Sequence, residues 1–156
     1  MILQVGIAQV KMGFAGDVLV AQALGSCVGI VLFDQRLQVG GMAHCLLPAP
    51  LNGTALPAGK FVVAAIPALI RKLESASQQK PRLRAKVVGG ANMFGRVALG
   101  KNVGDRNIEV ALKVLREMHV PIVGKDVGGG WARTAEFDIS TGRVKVTSYK
   151  GGVVEL

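Results

Sequence analysis

Apolar residues recur at every second position in Leu3, Val5 and Ile7 and again in Val18 and Val20, the period of strands with one buried face. Residues 28–33 are continuously apolar and closed by Asp34, which predicts a strand buried on both faces. Residues 39–47, ended by Pro48, predict its hairpin partner, with a polar turn over 34–38 between them. Residues 50–59 are rich in Gly and Pro and predict an exposed loop. A helix is predicted over roughly 60–78, because Phe61, Ala64, Ala65, Ala68, Leu69 and Leu73 follow i, i+3, i+4 spacing. Pro67 either kinks that helix or marks its true first turn, since proline has no N–H to donate. A strand over 85–88 runs into Gly89-Gly90. A second helix, roughly 105–118, carries Ile108, Ala111, Leu112 and Leu115 on one face. Asp105 and Glu109 near its start, with Lys113 and Arg116 near its end, suit the helix dipole. The chain then closes in strands over 121–127, 133–139 and 144–149, with a turn at 140–142. Strands, helices and strands again predict an α/β fold, a layered sandwich of mixed sheet and helices. With no internal repeat or linker, residues 1–156 read as a single domain.

Composition narrows the class. Half of the 156 residues are apolar and 19% are charged, which excludes a disordered chain. The segment MILQVGIAQVKMG has no basic n-region, and the longest apolar run, 61–70, is about half the ~20 residues of a membrane-spanning helix. These features predict a soluble, cytoplasmic protein without membrane insertion. The only cysteines, Cys27 and Cys45, fit a reducing compartment. A net charge of +9 asks for an acidic partner. The densest basic stretch, 80–86, has no interleaved aromatics, so a solvated basic face, or one that meets an acidic protein, is expected and not nucleic-acid binding. No spacing for a nucleotide or metal appears, and no cofactor is expected.

The candidate chemistry lies in Leu24-Gly25-Ser26-Cys27-Val28-Gly29 and in the segment 40–48, which contains His44. Cys27 sits among small residues at the mouth of an apolar strand. A tight turn there would aim the backbone N–H groups of Ser26 and Cys27 outward, as an oxyanion hole requires. A thiol is mostly protonated at pH 7, so a nucleophilic cysteine needs a base beside it. His44 is 17 positions on, and the predicted hairpin would bring it alongside. Adjacent strand residues point to opposite faces, so Cys45 would face away if His44 faces Cys27, as a small buried hydrophobe. The bland alternative is that Cys27 is also a core cysteine. His119, just past a predicted helix end, is expected to have no role.

These segments resemble the CheD family of chemotaxis proteins. The likeness runs through Leu24 to Val28, Gly40 to Pro48, Lys60-Phe61, Gly89-Gly90-Ala91-Asn92-Met93-Phe94, the segments 103–108 and 126–129, and Arg133 to Phe137. The resemblance implies a fold related to toxin deamidases and loosely to papain-like cysteine hydrolases. It implies hydrolysis of glutamine side-chain amides on chemoreceptors, giving glutamate and ammonia, with Cys27 as nucleophile and His44 as base. The partners it implies are the Glu- and Gln-rich cytoplasmic helices of receptors, which suit a basic surface, and a CheC-like phosphatase. One position departs from the family pattern. Ala21 stands where the family usually has a threonine, counted as the third member of the site. Gln22, Ser26 or a backbone carbonyl would then have to orient His44. Val127 also stands where many relatives carry threonine. Ala21 favours an alternative, a non-catalytic regulator that binds receptors or a CheC-like phosphatase; an amidohydrolase acting on other proteins' glutamines is another.

Overall fold

The computed structural model describes residues 1–93 and 102–156. Its strands form two five-stranded sheets. The first has the order β1 (Ile2–Gln4), β3 (Val18–Leu24), β8 (Arg133–Asp138), β9 (Arg143–Ser148) and β10 (Gly152–Glu155). The second has the order β2 (Val10–Phe14), β5 (Val39–Cys45), β4 (Val28–Asp34), β6 (Arg84–Gly89) and β7 (Ile122–Val127). Both are mixed: β1 is parallel to β3 and β6 to β7, and the other pairs are antiparallel. Helices α1 (Val62–Ala76) and α2 (Val103–Glu117) pack on the outer face of the second sheet. The layers therefore run helix, sheet, sheet.

The two sheets differ in their burial. Along β8 and β9 buried positions alternate with more exposed ones, so each has one wet face. Every residue of β4 and β5 is buried, so these strands need cover on both faces. The helices supply one cover, through Val28, Ile30, Leu32, Ala43, Leu69 and Leu115. The first sheet supplies the other, through Leu19, Val31, Met42, Phe137 and Val146. Gly40 and Gly41 let the layers close on β5. A Cβ on Gly40 would strike the Phe137 ring, and one on Gly41 would strike Leu69 of α1.

The elements differ from the sequence expectation in local detail. Helix α1 has no side-chain cap at its start. Instead the N–H groups of Val62 and Val63 donate to the carbonyls of Leu47 and Pro48, at 2.9 and 3.1 Å. Pro67 thus lies inside the helix and does not mark its first turn. The hydrogen bond it forgoes would have run to Val63, an exposed residue whose carbonyl can turn to water. Helix α2 starts two residues earlier than expected, because Asn102 caps it by accepting from the Asp105 N–H at 3.0 Å. His119 closes α2 at φ +58°, with the Val120 N–H reaching back to the Leu115 carbonyl at 2.9 Å. Ile7 does not continue β1. It is exposed in a turn that Ala8 makes at φ +68°. β5 ends at Cys45, and Leu47 instead forms an isolated bridge to Phe61. Strands β2 and β10 were not expected, since neither alternates cleanly and all of β10 is exposed. Phe94, in the segment that resembles the family, lies outside the described residues.

Candidate active site

Cys27 lies in the turn joining β3 to β4, and His44 lies near the end of β5. Gly29 pairs with His44 across the antiparallel hairpin. Cys27, two residues before Gly29, lies in the bend just beyond the ladder's last pair, Val28–Cys45. Alternation decides the faces. Ala43 and Cys45 join the core beneath the helices, whereas Met42 and Cys27 join the core between the sheets. His44 shares the face of Met42 and so opens toward the same inter-sheet space as Cys27. Cys45 faces the helices, on the other side of the sheet. Both candidate residues are nearly enclosed, Cys27 at 6% and His44 at 2% exposure.

The His44 ring is held by a group that carries no sequence signal. Its Nδ1 lies 2.9 Å from the backbone carbonyl of Val5. A carbonyl oxygen only accepts, so Nδ1 carries the proton and the neutral ring keeps its lone pair on Nε2. Nε2 is buried with no hydrogen-bond partner among the described residues. Val5 is itself anchored, its N–H donating to the Val20 carbonyl at 2.8 Å. Residues 5–9 cross from the first sheet to the second over His44, whose own N–H and carbonyl bond to Gln9 and Ala8 at 3.0 and 2.8 Å. Of the orienting groups left open above, it is thus a backbone carbonyl that meets the imidazole. Gln22 is exposed, and Ala21 is a buried methyl in the inter-sheet core. Val127 packs on the helix side of its sheet, across from the pair.

Burial pushes the His44 pKa below its usual 6.5, partly opposed by the Val5 hydrogen bond. Burial pushes the Cys27 thiol above 9.0, partly opposed by its own backbone N–H. At neutral pH the pair is a thiol and a neutral imidazole. Cys45 is raised further, to about 12, by burial and by the neighbouring Cys27, and is inert as a nucleophile.

The turn carrying Cys27 is fixed by segments distant in sequence. The Gly90 N–H donates to the Cys27 carbonyl and the Ala91 N–H to the Gly25 carbonyl, both at 2.8 Å. The Gly128 N–H donates to Gly89 at 2.9 Å, and the Asn92 N–H to Gly129 at 2.8 Å. Arg133, almost fully buried, reaches Asp126 at 3.4 Å. Segments 24–27, 89–92 and 126–133 thus meet at one end of the sandwich. Among the described residues, the N–H groups of Ser26 and Cys27 take no part in the backbone bonds of this turn. Gly89 proves important in a way spacing did not reveal. It adopts φ +108°, and a Cβ there would collide with the Cys27 carbonyl. Its only sequence signal is a Gly-Gly pair ending a strand. Gly29, by contrast, makes room for Leu24. Among the described residues no cluster of His, Cys, Asp and Glu could hold a metal, and no helix is long and apolar enough to cross a membrane.

A family model described as CheD chemotactic sensory transduction matches residues 46–148. Curated relatives match along nearly the whole chain. A protein of Geobacillus kaustophilus, named probable chemoreceptor glutamine deamidase CheD, is 36% identical over 159 residues, covering 99% of this chain and 96% of the relative. A Desulfitobacterium hafniense protein of the same name is 37% identical, covering 97% and 96%. One from Clostridium botulinum, again of that name, is 35% identical, covering 99% and 97%.

Proposed function

The chain belongs to the CheD family, and from that premise we propose that it is a chemoreceptor glutamine deamidase with Cys27 as nucleophile and His44 as general base. The observation that carries the chemistry is the buried Nε2, unpartnered among the described residues, of a ring whose Nδ1 is tied to Val5. That arrangement leaves one basic nitrogen on the face that holds Cys27.

The steps follow from the protonation states. The thiol and imidazole are both neutral, so the proton moves from Sγ to Nε2 as Sγ attacks the amide carbon. The carbonyl oxygen gains negative charge, and in this reading the N–H groups of Ser26 and Cys27 donate to it. The C–N bond then breaks, Nε2 returns its proton to the departing nitrogen, and ammonia leaves a thioester on Cys27. Water, giving a proton to Nε2, attacks the thioester. Sγ leaves and recovers that proton, and the receptor keeps a glutamate. In this reading the protein works in the cytoplasm, on the receptor's cytoplasmic helices, and a CheC-like phosphatase competes with receptors for it. The Val5 carbonyl supplies the orientation that Ala21 cannot, which removes the main reason for preferring a non-catalytic regulator.

The test is incubation with a cytoplasmic receptor fragment, followed by peptide mass spectrometry. Glutamine-to-glutamate conversion is expected from the native protein and none from Cys27→Ala or His44→Ala. Conversion that persists in Cys27→Ala would rule out the assigned nucleophile. Binding without conversion by the native protein would point to the regulator.

A further inference from the structure

We infer that Asn107 is a positioning residue that locks the turn bearing Cys27 to the strand bearing His44; this rests on the deamidase reading above, in which the two act as a pair. Asn107 lies on α2 and is fully buried. Its Nδ2 donates to the Ser26 carbonyl at 2.9 Å and to the Leu46 carbonyl at 3.1 Å. Ser26 directly precedes Cys27, and Leu46 follows His44 by two residues. Both partners are acceptors, so only the NH2 end of the amide can serve them and its orientation is settled.

The position of this bridge gives it its meaning. The ladder between β4 and β5 ends at the pair Val28–Cys45. Cys27 and Leu46 lie just beyond that last rung, where no strand pairing holds the two chains in register. Asn107 spans the gap. Helix α2 is seated closely enough to do so because Gly104, one turn earlier, lets it rest on the carbonyls of Gly90 and Ala91. Those residues also bond the Cys27 turn.

Stability alone does not explain an asparagine here. Ala111 and Leu115 follow it by four and eight residues on the same buried stripe of the helix. An apolar residue would continue that stripe. Asn107 instead leaves its Oδ1 buried without a partner among the described residues, a cost that packing does not require. Buried polar groups that break the local pattern are expected where a site imposes them.

The experiment compares Asn107→Ala with Leu115→Ala, a destabilising change in the same helix away from the site. Two readouts are taken on folded protein: the rate of Cys27 alkylation by iodoacetamide across pH, and kcat and KM on the receptor fragment. Asn107→Ala is expected to slow alkylation at neutral pH and to lower kcat by about tenfold or more, with KM within about twofold, because it misplaces the base from the thiol. Leu115→Ala is expected to change both rates by less than about twofold while lowering the melting temperature as much. Asn107→Ser, which keeps one donor, should fall between and gives the reading if Asn107→Ala does not fold. Native rates in the asparagine variants, or an equal loss in Leu115→Ala, would overturn the inference. Alkylation needs no receptor, so a native protein inactive on receptor would defeat the deamidase reading separately.

Discussion

The His44 ring is poised by two opposing effects, and the balance makes a prediction about pH. Desolvation lowers its pKa, and the Val5 carbonyl holds the Nδ1 proton and partly restores it, with a net shift downward from 6.5. In the proposed role of general base His44 must be neutral to act, so activity should be lost only as pH falls through the folded pKa, which lies below 6.5. On the alkaline side Cys27 titrates above 9.0, so the thiol form persists across the neutral range. The profile of kcat/KM should therefore be flat between about pH 7 and 8.5, with its acid limb below the range of an ordinary histidine. An acid limb centred near pH 7 would contradict the burial that sets this pKa. The same lowered pKa links His44 to stability. The unfolded chain takes up the proton first, so this contribution is present above 6.5 and fades as pH falls toward the folded value.

At the scale of elements, the site depends on how closely strands and turns approach. β5 can be sandwiched because Gly40 and Gly41 admit Phe137 from one side and Leu69 from the other. The end of β6 bends under the Cys27 turn because Gly89 adopts φ +108°. Gly89→Ala should destabilise the fold by about 2 kcal/mol or more, from strain together with a forced shift of the Cys27 carbonyl. Gly16→Ala separates the two effects, since Gly16 also has positive φ, at +93°, but open space around its Cβ position. Thermal melts and deamidation rates should show both variants weakened in stability and only Gly89→Ala losing most of its activity. Equal activity in the two would show that the close approach at Gly89 does not set the position of Cys27.

At the scale of the whole molecule, one end of the sandwich collects the candidate chemistry. The far end holds a cavity of about 630 Å³ lined in part by Lys80, Arg82 and Arg84. Under the function proposed above, this and the net charge of +9 would steer encounter with acidic receptor segments. Raising salt from about 0.05 M to about 0.5 M should weaken receptor binding by about tenfold, chiefly through slower association. Surface plasmon resonance across that range reads it directly, and an affinity indifferent to salt would remove charge from the account of recognition.

The continuous apolar run of β4 and the i, i+3, i+4 spacing of both helices were legible because local periodicity reports which faces are buried. In β3 it misled, since Leu19 and Ala21, not Val18 and Val20, join the inter-sheet core. That the strands beside Cys27 and His44 pair was legible in outline, because a short polar turn joins two apolar runs, but the register that sets Gly29 against His44 was not, since both strands are buried on both faces. Strand β2 and the exposed β10 were not legible, since pairing with a neighbour holds them and no pattern of their own does. Neither Val5 nor Asn107 announced itself. Every residue has a carbonyl like that of Val5, and an asparagine on a helix carries no sign of what it will meet. Chain crossing, layer packing and the seating of α2 bring these groups to the site, and those are long-range relations settled only when the sandwich closes.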